Sequence, residues 1–491
     1  MKYNIYFGCF FIAIASYSFN VKPINWQSNS IDQWMDWEAD ANNFRHHNRQ
    51  EKRPLALKYA CIPRNKVLTF ARTADLKRWE TFFNRFCSSD DLAFPVHPFN
   101  EEASLLFNKA DYSCPPRNRH PFVVRLSASR TVTLDLQKGI YASNKDLMND
   151  GLNNIAIGIK LPTDHVFRGI YEPNKSQDFS KLAVRSIITS AYISATQKKR
   201  ENQKERLYLK ENFYIIPEVY MQSMDTADDG PAFLVRDLNV LDWEQNLYLP
   251  AFSAYTSPGQ QIAHEGGAFS DQEVKSYWDQ HLIKPVAQLC AHLLVNYGLV
   301  QYNPHAQQFL IEISKQTRQP TGFIYLRDLC DLDLAEEISS LLGTKNLLEE
   351  VASRAGVPWT PYGATEQSYR MHGIAADIIV SFYGFADPQK CFYAPISDEK
   401  FAQWELESWV IFDEALRNTL GALLPSSKSA FDEIPPFGSE HVKENPEDHV
   451  GSYFEADRRA RLYMDILTSS SVVEDWEKFQ AIQPTYEDFG F

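Results

Sequence analysis

Residues 297–334 read YGLVQYNPHAQQFLIEISKQTRQPTGFIYLRDLCDLDL. The Tyr-Gly pair closes an amphipathic helix, and a polar loop follows with His305, Gln307 and Gln308. FLIEI (309–313) and FIYL (323–326) are rich in aromatic and β-branched residues, which predicts two strands. QTRQPTG, with Pro320 and Gly322, predicts the turn between them. A hairpin brings the loop beside Arg327 and Asp328 at the end of the second strand. Polar groups ahead of one strand and a carboxylate closing the next suit a nucleotide-dependent transferase with a metal at Asp328. A polar loop beside an ordinary hairpin gives the same pattern.

Upstream, Ser270 and Glu273 form a capping box that starts a helix at Asp271. Its apolar stripe runs through Val274, Trp278, Leu282, Val286, Leu289 and Leu293, Pro285 predicts a kink, and Gly298 supplies the C-cap. Further back, PFVVRLSASRTVTLD (121–135) reads as one strand with Arg130 on one face and Ser127, Ser129 and Thr131 on the other. The apolar strand ending in Lys160, followed by Arg168, repeats the theme. A cation in an apolar strand needs an anionic partner, either a protein carboxylate or a ligand phosphate. NFYIIPEVYMQ (212–222) and AFLVRDLNV (232–240) read as further strands, SPGQQ (257–261) as a loop, and QKKRENQKER (197–206) as a solvated charged run after a helix over 179–197. His97 leaves a strand in PVHPF (95–99). Helices are expected over 30–44, 335–342, 347–355, 365–385, 398–424 and 453–468, with a long exposed loop over 425–450.

These elements give a mixed α/β fold class: mixed sheets in the first two-thirds and a mostly helical last third. The 491 residues suffice for two or three domains with large cores. A net charge of −14 argues against nucleic acid as a partner, because phosphate neutralisation needs a surplus of Lys and Arg. Residues 1–18 read as a secretory signal peptide, or as a buried N-terminal strand. No later run reaches the ~20 apolar residues of a membrane span. Seven cysteines contain no C-x-x-C pair, so no zinc or redox motif is present. Cys290 and Cys330 read as buried thiols, and Cys61, Cys87 and Cys114 include a candidate disulfide in an exported protein.

Several pieces fall in one order: PVHPF at 95–99, ASRT at 128–131, IKL at 159–161 followed by Arg168, a strand ending VRDLN, the helix entering YGLV, HAQQ at 305–308 and YLRDL at 325–329. Over roughly residues 90–335 this resembles the aerobactin-synthetase-type (IucA/IucC) family, siderophore synthetases that work without a peptide-synthetase template. The resemblance implies a cupped-hand architecture: a thumb-like region (19–120), a β-rich fingers-like region (121–260) and a palm-like region (261–491). It also implies an ATP- and Mg²⁺-dependent ligase that adenylates a citrate-like polycarboxylate and passes it to an amine or hydroxyl. Catalytic roles would fall to Arg130, Lys160 and His305. His97, Ser129, Arg130, Thr131, Lys160, Arg168, His305, Gln307 and Gln308 would hold the nucleotide, and Asp328 the metal. The partners are then the small-molecule polycarboxylate and amine, with a homodimer as candidate assembly. Asn303 stands where the family has Glu, Gln308 where it has Asn, and Ala128 replaces the Ser of S-x-R-T; the family's early Lys-containing motif is missing. Two other readings follow from the same residues. One is an exported, non-catalytic relative that binds a polycarboxylate or ferric siderophore. The other is a kinase-like phosphotransferase, which lacks a Gly-rich phosphate loop and has Gln307 where a catalytic Asp is wanted.

Overall fold

A computed structural model of the chain describes residues 23–27, 30–43, 55–84, 87–88, 90–98, 123–128, 131–135, 156–162, 179–202, 210–224, 232–301, 306–357, 398–438 and 449–491. The architecture is mixed α/β. A seven-stranded antiparallel sheet runs in the order β1 (Leu55–Ala56), β5 (Val123–Ala128), β6 (Thr131–Asp135), β7 (Ala156–Lys160), β10 (Ala232–Asp237), β9 (Glu218–Met224), β3 (Val67–Ala71). A four-stranded sheet runs β11 (Asn246–Pro250), β13 (Phe309–Ser314), β14 (Pro320–Leu326), β8 (Phe213–Ile215), with only the last pair parallel. Two ribbons complete the strands: β2 (Lys58–Pro63) with β4 (Asp91–Val96), and β12 (Leu299–Gln301) with β15 (Leu332–Leu334). The larger sheet thus takes strands from both sides of residue 120, and the smaller from both sides of residue 260.

Strand alternation divides the seven-stranded sheet into two faces. Ile157, Ile159, Phe233 and Val235 pack outward, with Tyr59, Phe94 and the helix α2 (Thr73–Asn84), into one core cluster. A disulfide between Cys61 and Cys87, Cα–Cα 5.6 Å, ties β2 to the segment after α2. The inward face, through Met221 and Leu234, joins the main core around α3 (Phe179–Asn202), the four-stranded sheet and the helices that follow. Those helices are α4 (Ser257–Glu265), α5 (Asp271–Trp278), α6 (Lys284–Tyr297), α7 (Glu336–Leu342), α8 (Thr344–Arg354), α9 (Asp398–Leu423), α10 (Lys428–Asp432), α11 (His449–Leu467) and α12 (Val473–Gln480). Among the described residues the last third is therefore mostly helical.

Helix α1 (Ser30–Asn43) packs against both sheets. Its Trp34 lies 5.8 Å from Trp243, ring to ring, and joins a third cluster with Tyr248, Leu310 and Tyr325 of the smaller sheet. Its Asp36 takes a hydrogen bond from Arg125 of β5 in the larger one.

Several local expectations need correction. The single strand over 121–135 is two strands, because Ala128 pairs with Thr131 and the chain reverses between them. SPGQQ is not a loop but part of α4, with Pro258 in the first turn, where its missing N–H costs nothing. The run after 197 is not simply solvated: α3 continues to Asn202, and Arg200 is half-buried in an ion pair with Glu211. The expected loop over 425–450 begins with the short helix α10, and Phe431 and Phe437 are buried. NFYIIPEVYMQ is divided between β8 and β9 in different sheets. The expected helix over 365–385 lies outside the described residues.

Candidate functional site

The hairpin β13–β14 forms as its composition dictates, with Phe309 opposite Leu326. The Arg327 amide then donates to the Gln308 carbonyl at 2.9 Å, which brings the end of the polar loop to the end of β14. The next residue, Asp328, adopts left-handed backbone (φ 62°, ψ 56°), a conformation Asp tolerates better than most side chains. The turn aims its carboxylate at the inward face of the seven-stranded sheet.

Two cations from that face meet it. Gly158 of β7 pairs with Arg236 of β10, and Lys160 follows two residues later, so Lys160 and Arg236 project from the same side. Lys160 Nζ donates to Asp328 Oδ1 at 2.6 Å, and Arg236 Nη2 donates to the same oxygen. Arg236 Nε also donates to Glu218 Oε1 at 2.8 Å. Glu218 is fully buried, and its other oxygen has no hydrogen-bond partner among the described residues. Thr131 of β6 sits opposite Lys160 and completes the row.

The electrostatics follow from burial and pairing. Burial works against the Asp328 carboxylate, yet the charges of Arg236 and Lys160 outweigh it and hold the carboxyl well below its usual range. Burial pushes Glu218 up against the pull of Arg236, and Asp331 up with help from the Asp328 charge. Gln301 donates to Gln308, and Gln308 donates to Asp331, so the buried Gln308 serves as a bridge within the protein. Arg185 of α3 holds both Asp333 and the Leu332 carbonyl just beyond.

On its other side the strand end is tied to α1. Arg327 Nη2 lies 2.6 Å from Glu38 Oε1, and Arg327 Nε donates to the Gln307 carbonyl at 2.6 Å. Glu38 has no solvent exposure; burial outweighs the attraction of Arg327 and raises its carboxyl to about 7.

Of the residues expected at the site, Lys160, Asp328, Gln307 and Gln308 come together, with Thr131 in register beside Lys160. His97 is fully buried after β4. Ser129, Arg130, Arg168 and His305 lie outside the described residues, as does Asn303. Sequence reading missed Arg236, Glu218 and Glu38 as site residues. Arg236 had a signal, since the strict alternation in AFLVRD sets it on the same face as Leu234. Glu38 had another, because it occupies the last place in the buried stripe Ile31, Trp34, Met35, Glu38.

Mg²⁺ asks for several hard oxygen ligands. Here one oxygen of Asp328 is held by two cations, and no group of three or more His, Cys, Asp or Glu side chains among the described residues is placed for a metal ion. These residues do not fit Mg²⁺. The arrangement instead presents an ammonium and a guanidinium, groups that bind phosphate and carboxylate oxygens.

No family model matches the chain, and no curated protein does. Among solved structures the chain is similar to aerobactin synthetases from a hypervirulent pathotype of Klebsiella pneumoniae. With IucC it shares 14% identity over 81% of this chain and 73% of that one, at a TM-score of 0.49. With IucA the figures are 12%, 80%, 75% and 0.47, and with ATP-bound IucA 11%, 80%, 75% and 0.45.

Proposed function

We propose that this chain is an ATP-dependent ligase that joins a citrate-like polycarboxylate to an amine or hydroxyl, in the manner of siderophore biosynthesis. The observation that carries the reading is the meeting of Lys160 and Arg236 on Asp328, in a chain whose motifs fall in the synthetase order. A substrate carboxylate oxygen attacks the α-phosphorus of ATP and expels pyrophosphate. The amine or hydroxyl then attacks the acyl carbon, AMP leaves with the bonding pair, and the nucleophile loses its proton. Both transition states gather negative charge on phosphate and carbonyl oxygens, which fixed cations stabilise. Lys160 and Arg236 would supply that charge from the sheet, with Thr131 in register beside Lys160, and the motif order assigns phosphate contacts to Arg130 and Arg168 and nucleotide contacts to Gln307 and His305.

The test is trapping. The full chain is incubated with ATP, citrate and hydroxylamine, and AMP, pyrophosphate and citryl hydroxamate are measured. Citrate-dependent release of all three is expected, and its loss in Arg130→Ala. Absence of AMP release with any polycarboxylate overturns the ligase.

The disulfide between Cys61 and Cys87 favours a second reading, an exported relative that binds a polycarboxylate without turning over ATP, because such bonds are rare in reducing, ATP-rich compartments. Citrate binding with no ATP consumption is its signature.

A further inference from the structure

Burying a charged pair is expensive, and a well-packed apolar residue of similar volume commonly serves stability as well or better. Position 38 belongs to a stripe whose other members, Ile31, Trp34 and Met35, are buried and apolar. A leucine there would continue the pattern. The chain instead places a carboxylate with no solvent exposure, and Trp34 Nε1 donates to Glu38 Oε1 at 3.2 Å. The cation on that same oxygen is Arg327, the residue directly before Asp328. Its guanidinium spans two elements, the α1 carboxylate on one side and the Gln307 carbonyl on the other.

From this geometry, and resting on the reading of the Asp328 cluster as a ligand site, we infer that Glu38 is a positioning residue for that site, acting through Arg327. Glu38 fixes the guanidinium, the guanidinium fixes the Gln307 carbonyl, and the loop end and the Asp328 turn are thereby held in one register. Helix α1 suits the task because it packs on both sheets, one carrying Asp328 at the end of β14 and the other carrying Lys160 and Arg236. A small rotation of α1 would change the distance between the cations and their carboxylate. The ion pair permits one alignment, whereas an apolar contact tolerates several.

The experiment compares the full-length wild type with Glu38→Leu and Glu38→Gln. Two readouts are taken: hydrogen–deuterium exchange of peptides covering 306–328, and citrate and ATP affinity by titration calorimetry. Glu38→Leu leaves the buried Arg327 guanidinium without its carboxylate, so its melting temperature is expected to fall while the chain still folds. It should speed exchange at 306–328 and weaken binding by about tenfold or more, the scale on which misplacing a positioned group is felt. Glu38→Gln keeps an acceptor for Arg327 and should fall nearer the wild type on both measures. If Glu38→Leu does not fold, the Gln variant carries the test through the same exchange window. Wild-type exchange at 306–328 in both variants overturns the inference. A wild type that binds neither citrate nor ATP defeats the ligand reading, while the exchange result still decides whether Glu38 positions the loop.

Discussion

The ammonium of Lys160 closes on the carboxylate of Asp328 at 2.6 Å, across 168 residues of sequence. The bond joins the two sheets: Lys160 ends β7 of the larger, and Asp328 follows β14 of the smaller. Its partner Arg236 adds a second positive charge to the same oxygen. In this structure an internal carboxylate occupies the cation pair that a ligand carboxylate or phosphate would seek.

Asp328→Asn should therefore leave Lys160 and Arg236 facing each other with their shared charge removed. Breaking a buried pair costs about 3–5 kcal/mol, so the melting temperature should fall clearly. Because the carboxyl is held well below its ordinary range in the folded state, its contribution is present at neutral pH and is lost as pH falls. Citrate or sulfate should restore part of the stability in the variant, and more than it adds to wild type. An unchanged melting temperature in Asp328→Asn, with no anion effect, would show the cluster to be inert.

Glu38 predicts a pH effect of opposite sign. Its carboxyl rises from 4.5 to about 7 on folding, because burial outweighs the pull of Arg327. Between those values the folded protein keeps a proton that the unfolded chain has released. Stability is then highest below about pH 4.5 for this group, falls as pH rises through 7, and is flat above. A shift from 4.5 to about 7 amounts to roughly 3 kcal/mol. Glu38→Gln should remove this slope, so denaturant midpoints of variant and wild type should diverge from pH 5 to pH 8. Parallel curves would mean Glu38 ionises normally.

Much of the fold is legible in the sequence where local chemistry and tertiary packing agree. Ser270 and Glu273 make the capping box, Gly298 takes the left-handed C-cap at φ 65°, and β13 and β14 form the hairpin. The reversal between β5 and β6 is illegible because apolar alternation runs through it without a Gly, Pro or Asn to mark the turn. In SPGQQ the glycine misleads. Gly259 sits inside a helix because a Cβ there would come within 1.8 Å of the Ala254 carbonyl oxygen, a packing requirement that looks like a turn signal. The site divides the same way. That one strand ends in a cation and another in a carboxylate can be read directly. That Lys160 and Asp328 meet depends on how two sheets stack, which no local pattern encodes. Glu38 is hidden for a related reason, since its partner Arg327 is distant in sequence.

The poor fit to Mg²⁺ yields a prediction for nucleotide binding. With Asp328 already neutralised by Lys160 and Arg236, ATP affinity should change only modestly between Mg²⁺ and EDTA, as measured by titration calorimetry. A large Mg²⁺ requirement would place a metal site among residues outside those described.

The disulfide makes a separate prediction. Cys61 and Cys87 close a loop with a sequence separation of 26, and a bond of that span stabilises by about 3 kcal/mol in the chain-entropy account. Non-reducing peptide mapping should recover the two cysteines linked. Reductant should lower the denaturant midpoint, as Cys61→Ser should without reductant. Two alkylatable thiols at these positions in the unreduced protein would dismiss the bond.

The order of strands in the larger sheet bears on how the chain is made. Both edges, β1 and β3, come from residues 55–71, while the five strands between them are translated later. As the polypeptide leaves the ribosome, two short apolar strands emerge first and wait for partners at 123–128 and 218–224. During that wait their unpaired backbones are open to wrong pairing, within the chain or between neighbouring nascent chains. Low expression temperature or slow translation ahead of residue 232 should therefore affect soluble yield more than the finished fold would suggest.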